Sequence, residues 1–382
     1  MPTHVVILGA GAAGTAAARA LAAADGVEVA LVGRTAEAPY NRTLVNKGVA
    51  IGLLRPDQAA VPGFVVRSDS AERIDPEARL VALESGATLP YDALLVATGS
   101  APRRIGDAVP GAAAAVAVGR LTTLHSLDDA VRVRDMLATR ESARVVVLGA
   151  GLVAAETASL LHERGHRVTL VARADLPGAS AFGVAVATRL AEHHRQTVTT
   201  RFGRTPTSFA LEGDELIVGL DDGTSLRADL AIVGHGTTPA APTPFTDGVV
   251  TDTRLRAPVA GVYAAGGVAV HHDDGSAPWR IDHWADAAAQ GEHAARTLLH
   301  DLGLSADPGP YLPRSPYTAN IHGSVVAAVG RTGADGTLVS TDPLVVVHER
   351  DGVPHGASGL DAVPAVFSWM DRLHRPQSET RR

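Results

Sequence analysis

Apolar residues along the chain gather in short continuous runs instead of alternating with polar ones. Val5 to Leu8 is such a run; a glycine-rich turn and an alanine-rich helical segment, Thr15 to Ala24, follow it, and a second run, Val29 to Val32, closes the unit. A strand-length apolar run predicts a strand buried on both faces, and strand, turn, helix, strand in succession predicts a parallel βαβ unit. The same order returns at Arg144 to Val171. Between the two units, Leu80 to Leu83 and Tyr91 to Ala97 read as strands, with Ser85-Gly86 as a turn. Beyond the second, Leu216 to Leu220, the Asp222-Gly223 turn and Leu230 to Val233 read as a hairpin-like pattern and a further buried strand. Gly261 to Ala265 is another short strand, and Ile281 to Leu299 has helical spacing. From about Asp307 proline and glycine become denser and short strands dominate, among them Val325 to Val329 and Leu344 to His348.

Both units carry a glycine pattern between the first strand and the helix. The first reads Gly9-Ala10-Gly11-Ala12-Ala13-Gly14: one glycine for the tight turn, one that lets backbone approach a pyrophosphate, one for close helix-to-strand packing. Phosphate at the helix N-terminus then meets free N–H groups and a favourable dipole. The second reads Gly149-Ala150-Gly151-Leu152-Val153-Ala154, with alanine in the third place. An acid at the end of the following strand binds a ribose 2′-hydroxyl in such units; here that place is Ala172, with Arg173 next. Removing a carboxylate and supplying a guanidinium suits a 2′-phosphate, so NADPH is favoured over NADH. The predicted fold is α/β, with two Rossmann-like dinucleotide-binding domains, one of them discontinuous, and a small α+β C-terminal domain. The expected bounds are 1–112 with 240–304 for the first, 113–239 for the second and 305–382 for the last.

Composition narrows the chemistry. The 382 residues include no cysteine, which excludes a disulfide framework, a thiolate metal site, an iron–sulfur cluster held by this chain and a redox-active cysteine pair. Electron chemistry here needs a bound cofactor. A net charge of -7 argues against nucleic acid as the main partner. No apolar run approaches the roughly 20 residues that cross a bilayer, and a strand begins almost at once, so the expectation is a cytoplasmic protein with no membrane partner. Of 34 basic residues only Lys47 is a lysine.

Two glycine-turn units, with Ala97-Thr98-Gly99 closing one segment and Val262-Tyr263-Ala264-Ala265-Gly266 in another, resemble the FAD-dependent pyridine-nucleotide oxidoreductases. Within that superfamily Pro39-Tyr40-Asn41-Arg42-Thr43-Leu44-Val45-Asn46-Lys47 looks like the signature of the ferredoxin-reductase branch, which carries electrons from a nicotinamide to iron–sulfur proteins feeding oxygenases. The likeness extends through Arg280-Ile281-Asp282-His283-Trp284, Gln290-Gly291 and Ser315-Pro316-Tyr317. It implies that Gly9, Gly11 and Gly14 hold the FAD pyrophosphate, that Arg42 helps neutralise it, and that Ala97, Thr98, Gly99, Gly266 and Gly267 line the same nucleotide. By the same likeness Lys47 reaches the flavin ring, Glu156 lies beside the nicotinamide and pairs with Lys47, and Gly149, Gly151, Ala154, Arg173 and Gly236 serve NADP, with NAD as the other choice. Lys47 and Glu156 are thus the candidate catalytic residues; a solvated surface lysine is the plainer reading of the first. Trp284 would cap the flavin's pyrimidine edge, and core packing explains it equally well. Three positions depart from the branch. Arg34 stands where an acid would bind the adenosine ribose, and an arginine there can read a 2′-phosphate. Gly267 replaces an aspartate, and Thr318-Ala319-Asn320-Ile321-His322 replaces an aromatic segment.

The reading is a flavoprotein reductase that takes hydride from NADPH and passes electrons to an iron–sulfur ferredoxin. Two others stand beside it: a nucleotide-binding protein with a degenerate flavin site, acting as sensor or partner subunit, and a pathway-specific flavin oxidoreductase acting on a small organic substrate near Asn320 and His322. A homodimer is left open. No metal site is expected, since His271-His272-Asp273-Asp274 reads as a solvated loop. His193 and His194 read as surface residues of a polar helix, and His235, between Gly234 and Gly236, as a core or catalytic neighbour of the nicotinamide. Asp128-Asp129 and Asp221-Asp222 read as helix-start and turn residues.

Overall fold

The apolar run at Val5 to Leu8 forms the middle of a five-stranded parallel sheet in the computed structural model, which describes residues 2–35, 38–272 and 277–375. Strand Thr3–Leu8 pairs with Val27–Gly33 on one side and Ala93–Val96 on the other; Arg67–Ser68 and Val262–Ala264 complete the two edges. In chain order the strands stand 3-2-1-4-5 across the sheet. That order reverses between Thr3–Leu8 and Ala93–Val96, and a nucleotide binds at the carboxyl ends of strands on either side of such a reversal. Helix Ala12–Leu21 crosses from this sheet to helix Trp284–Asp301. The close approach explains the alanines: Ala13, Ala17, Ala294 and Ala295 are all buried, and a Cβ at Gly291 would strike the Ala13 carbonyl at 2.1 Å.

The second glycine-turn unit repeats the plan. Arg144–Leu148 lies between Arg167–Ala172 and Leu230–Val233, with Thr199–Phe202 and Leu121–Thr123 outside them, every pairing parallel. The hairpin read from the Asp222-Gly223 turn is present, joining Glu215–Leu220 to Ser225–Ala228, and Pro206–Glu212 adds a third antiparallel strand. Asp129 is a helix-start residue as expected: it closes a capping box with Ser126. The C-terminal stretch forms a five-stranded antiparallel sheet in the order Pro316–Ile321, Ser324–Gly330, Val353–Leu360, Leu344–Arg350, Thr337–Thr341. By density of internal contacts the chain forms two compact units, Met1–Arg42, Ala60–Ala101 and Thr237–Pro313 in one, Thr43–Ala59, Pro102–Gly236 and Arg314–Arg382 in the other. No helix among the described residues is long and apolar enough to cross a membrane.

Candidate nucleotide and redox sites

In the first unit the glycine turn links strand Thr3–Leu8 to helix Ala12–Leu21. Gly9 has a φ of +107°, and a Cβ there would fall 2.2 Å from the Ala97 carbonyl oxygen. No side chain fits. Gly14 is as tightly placed, 1.8 Å from the Gly9 carbonyl oxygen, whereas Gly11, the helix N-cap, has no atom within 4 Å of its Cβ position. The first helical turn carries no acidic side chain, so nothing competes with an incoming anion for the helix N-terminus. Next to this cradle the Thr98 hydroxyl is buried without a hydrogen-bond partner among the described residues. An orphaned buried hydroxyl marks a place for a ligand atom or a water. These features fit the pyrophosphate and sugar of a dinucleotide.

The remaining first-unit candidates come from other segments of the chain. Arg34 follows strand Val27–Gly33 and is exposed, as is Arg42. Gly99 and Gly266 both take left-handed conformations, φ +75° and +78°. The Gly266 N–H donates to Gln290 Oε1 at 2.7 Å, Gln290 Nε2 donates to Asp286 Oδ2 at 2.6 Å, and the Tyr311 hydroxyl donates to Asp286 Oδ1 at 2.8 Å. This relay pins the Gly266-Gly267 turn from beneath. Trp284 opens helix Trp284–Asp301 and is half-buried. Asp282, two residues earlier, carries a carboxylate that burial works to raise. Hydrogen bonds from Thr237 and Ser100, with the charges of Arg280 and Arg42, outweigh burial and hold it below the usual carboxylate range.

In the second unit, Gly149 has a φ of +154° and a Cβ position 2.3 Å from the Gly234 carbonyl oxygen, while Gly151 caps helix Leu152–Glu163 and faces open space. Alanine is accommodated at 154 because Gly234 lies opposite: a Cβ at Gly234 would come within 3.0 Å of the Ala154 Cβ. Ala172 ends strand Arg167–Ala172 fully buried, and Arg173 emerges exposed directly after it. His235 is a neighbour of Arg173, since desolvation and then the Arg173 charge hold its imidazole below the ordinary range. Gly236 turns the chain beside it at φ +80°.

Lys47 and Glu156, far apart in sequence, meet in this second unit. Lys47 lies on a single wide helical turn, Val45–Val49, of the π type often found at functional sites. Its Nζ is 3.0 Å from Glu156 Oε1 and donates to the Thr318 carbonyl oxygen at 3.3 Å. The Glu156 side chain is 5% exposed and that of Lys47 37%, so the carboxylate is buried while the ammonium reaches the surface. Asn46 Nδ2 donates to the other carboxylate oxygen, Oε2, at 2.8 Å. The strand that replaces the branch's aromatic segment therefore supplies a carbonyl to Lys47.

Sequence reading missed three of these groups. No local pattern marks Asn46 or Asp282, because Glu156 and Thr237, their partners, lie elsewhere in the chain. His194 is a correction. Instead of lying on the surface it is 1% exposed, because the helix Val184–Thr197 turns this face against Phe202 and His322. His194 Nδ1 and His322 Nε2 share a hydrogen bond at 2.8 Å, and the backbone N–H of His322 donates to Ser159 Oγ at 2.7 Å. His322 is thus tied inward. His271, read as part of a solvated loop, is a second correction: it ends strand Ala269–His271, is 4% exposed and stacks on Trp279, while Asp273 and Asp274 of that stretch lie outside the described residues.

Comparison with known proteins agrees with the geometry. The p-cumate 2,3-dioxygenase system ferredoxin–NAD(+) reductase component of Pseudomonas putida is 31% identical over 321 residues, covering 79% of this chain and 75% of that one. A chain of the covalent putidaredoxin reductase–putidaredoxin complex superposes with a TM-score of 0.84 at 22% identity, over 99% of this chain and 95% of that one. An engineered NADPH oxidase bound to NADPH, made from the Lactobacillus brevis water-forming NADH oxidase, matches with a TM-score of 0.79 at 21% identity, over 97% and 91%. Its substitutions include glycine to alanine and, eighteen residues on, aspartate to alanine followed at once by alanine to arginine. The profile of the pyridine nucleotide-disulphide oxidoreductases matches residues 3–291. The chain belongs to the pyridine nucleotide-disulphide oxidoreductase family, FAD-dependent oxidoreductases that use a pyridine nucleotide.

Proposed function

We propose that this protein is an NADPH-dependent flavoprotein reductase that delivers electrons to an iron–sulfur ferredoxin serving an oxygenase. The observation that carries the reading is a pair of dinucleotide cradles in a chain with no cysteine. A member of a disulphide oxidoreductase family without a thiol has no side chain to take the reducing equivalents onward, so they leave the protein for an outside acceptor. Relatives named as ferredoxin reductase components of dioxygenase systems support a ferredoxin as that acceptor.

Bound FAD supplies the conversion of a two-electron hydride into single electrons. The chain's own residues do the rest. Gly9, Gly11 and Gly14 admit the FAD pyrophosphate, and Arg42 offsets its charge. Gly149, Gly151 and Ala154 admit the nicotinamide dinucleotide, with Gly236 turning beside it. Lys47 is the cation for negative charge developing on the flavin ring, held by Glu156, whose other carboxylate oxygen accepts from Asn46. Arg173 reads the 2′-phosphate, and the engineered NADPH oxidase supports that choice. The residues it introduces, alanine, then alanine and arginine after the same eighteen-residue interval, are those this chain has at Ala154, Ala172 and Arg173.

The test is an anaerobic titration of the purified yellow protein with NADPH and then NADH, followed by addition of a [2Fe–2S] ferredoxin. Bleaching at lower NADPH than NADH, and reoxidation on adding the ferredoxin, are the expected results. A colourless protein that does not take up FAD defeats the reading.

A further inference from the structure

The absent side chain at Gly267 leaves room that another residue fills. An ideal Cβ at Gly267 would lie 2.3 Å from Asp282 Oδ1 and 2.9 Å from its Cγ, so the Asp282 carboxylate stands where a side chain at 267 would project. It is held there. Thr237 Oγ1 donates to Oδ2 at 2.6 Å and Arg280 Nη2 is 3.5 Å from the same oxygen, while Arg280 Nε donates to the Gly267 carbonyl at 3.0 Å. One arginine thus fixes the Gly267 backbone and the Asp282 carboxylate together.

The place of this carboxylate argues for a ligand. A Cβ at Gly266 would be 3.2 Å from the Ala13 Cβ, which sits in the first turn of helix Ala12–Leu21, so the Gly266-Gly267 turn abuts the cradle assigned to the pyrophosphate. A carboxylate only accepts hydrogen bonds. Beside a diphosphate it repels unless the ligand presents hydroxyl groups, and in FAD the ribityl chain does so next to the pyrophosphate. The Asp282 side chain is 35% exposed, within reach of such a group.

We propose that Asp282 supplies, across the gap left by Gly267, the carboxylate that accepts a hydrogen bond from the polyol of FAD, so that Gly267 and Asp282 form a compensating pair. The inference rests on FAD being the nucleotide of the first unit.

The experiment is reconstitution of apoprotein with FAD, followed by quenching of flavin fluorescence. Asp282→Asn weakens FAD binding about 10- to 100-fold, as expected for loss of a hydrogen bond to a charged acceptor. Gly267→Asp alone also weakens it, because two carboxylates compete for one space. Gly267→Asp combined with Asp282→Gly restores binding to within about threefold of wild type. Deoxyribityl analogues of FAD separate a ligand contact from a packing effect: wild type prefers FAD to the analogue, and Asp282→Asn does not distinguish them. An Asp282→Asn protein with wild-type FAD affinity, or a swapped double variant no tighter than Asp282→Gly, overturns the proposal while leaving the flavin reading intact. Wild-type apoprotein that quenches no flavin overturns both.

Discussion

Removing Lys47 tests whether the Glu156 carboxylate is held by its partner. In the Lys47→Met protein a carboxylate only 5% exposed loses the ammonium 3.0 Å away and keeps only the Asn46 donor at 2.8 Å. Breaking a fully buried ion pair costs about 3–5 kcal/mol, because the surviving charge is left without compensation. Two features reduce the figure here. Lys47 is 37% exposed, so water already screens one end, and Asn46 still satisfies one oxygen. The expected loss is about 2 kcal/mol. Glu156→Gln alone removes the charge, keeps an acceptor for Asn46 or Lys47, and costs about 1 kcal/mol.

The pair is then judged by the double variant. Lys47→Met with Glu156→Gln has no buried charge left, so it loses about 1 kcal/mol instead of the additive 3 or so, a coupling of about 2 kcal/mol. Urea denaturation followed by far-UV circular dichroism measures these values, provided the slope with denaturant is unchanged among the four proteins. Since the chain forms two compact units, the quantity to compare is the transition that shifts with the variants. Additive losses in the double variant would refute the reasoning, for they would mean that the two groups do not sense each other.

Two other expectations follow from the second unit. Arg173→Ala raises the KM for NADPH about 10- to 100-fold and that for NADH less than threefold, as expected for loss of a phosphate-directed guanidinium; steady-state kinetics with both nucleotides decides, and equal changes for the two count against the assignment. His194, lowered to about 3 by burial and then by the charges of His322 and His193, and His322, lowered to about 4 by burial and then by His162 and His193, are neutral in the folded protein. Their contribution to stability is full above the unfolded value near 6.5 and is lost as pH falls from there through the folded values, about 4 for His322 and about 3 for His194. A His194→Leu protein shows a flatter fall of the urea midpoint over that window, and an identical slope would exclude the pair as its source.

Much of the fold can be read from local chemistry. Val5 to Leu8 and Val145 to Leu148 are continuous apolar runs because parallel strands are buried on both faces, and the glycines of the two turns are spaced by the needs of backbone packing that Gly9 and Gly149 show directly. Arg173 is legible because it follows its strand immediately. Residues whose meaning depends on the tertiary fold are different. Asn46 is one of many polar residues until the fold brings Glu156, 110 positions away, against it. Asp282 matters because of an atom that Gly267 lacks, and His194 is flanked by charged neighbours that hide the buried face of its helix. In each case the informative fact is a distance between segments, and no periodicity carries it.

The geometry also explains why a chain that uses arginine for nearly every cation keeps a lysine at 47. An ammonium is a compact charge with three donors, and Lys47 spends two of them on Glu156 Oε1 and the Thr318 carbonyl. A guanidinium seeks both oxygens of a carboxylate with its planar fork, but Glu156 Oε2 is already occupied by Asn46. Arginine at this place must either displace a buried amide from its acceptor or leave its own donors misaligned. Lys47→Arg therefore keeps the charge but not the position: flavin reduction by NADPH, followed anaerobically by stopped flow, slows at least about tenfold, a rise of roughly 1.4 kcal/mol in the barrier. FAD affinity changes little. Adding Asn46→Ala to that protein makes room at Oε2 and recovers part of the rate, whereas a Lys47→Arg protein reduced at the wild-type rate would show that any cation serves and that the arrangement around Glu156 does not select lysine.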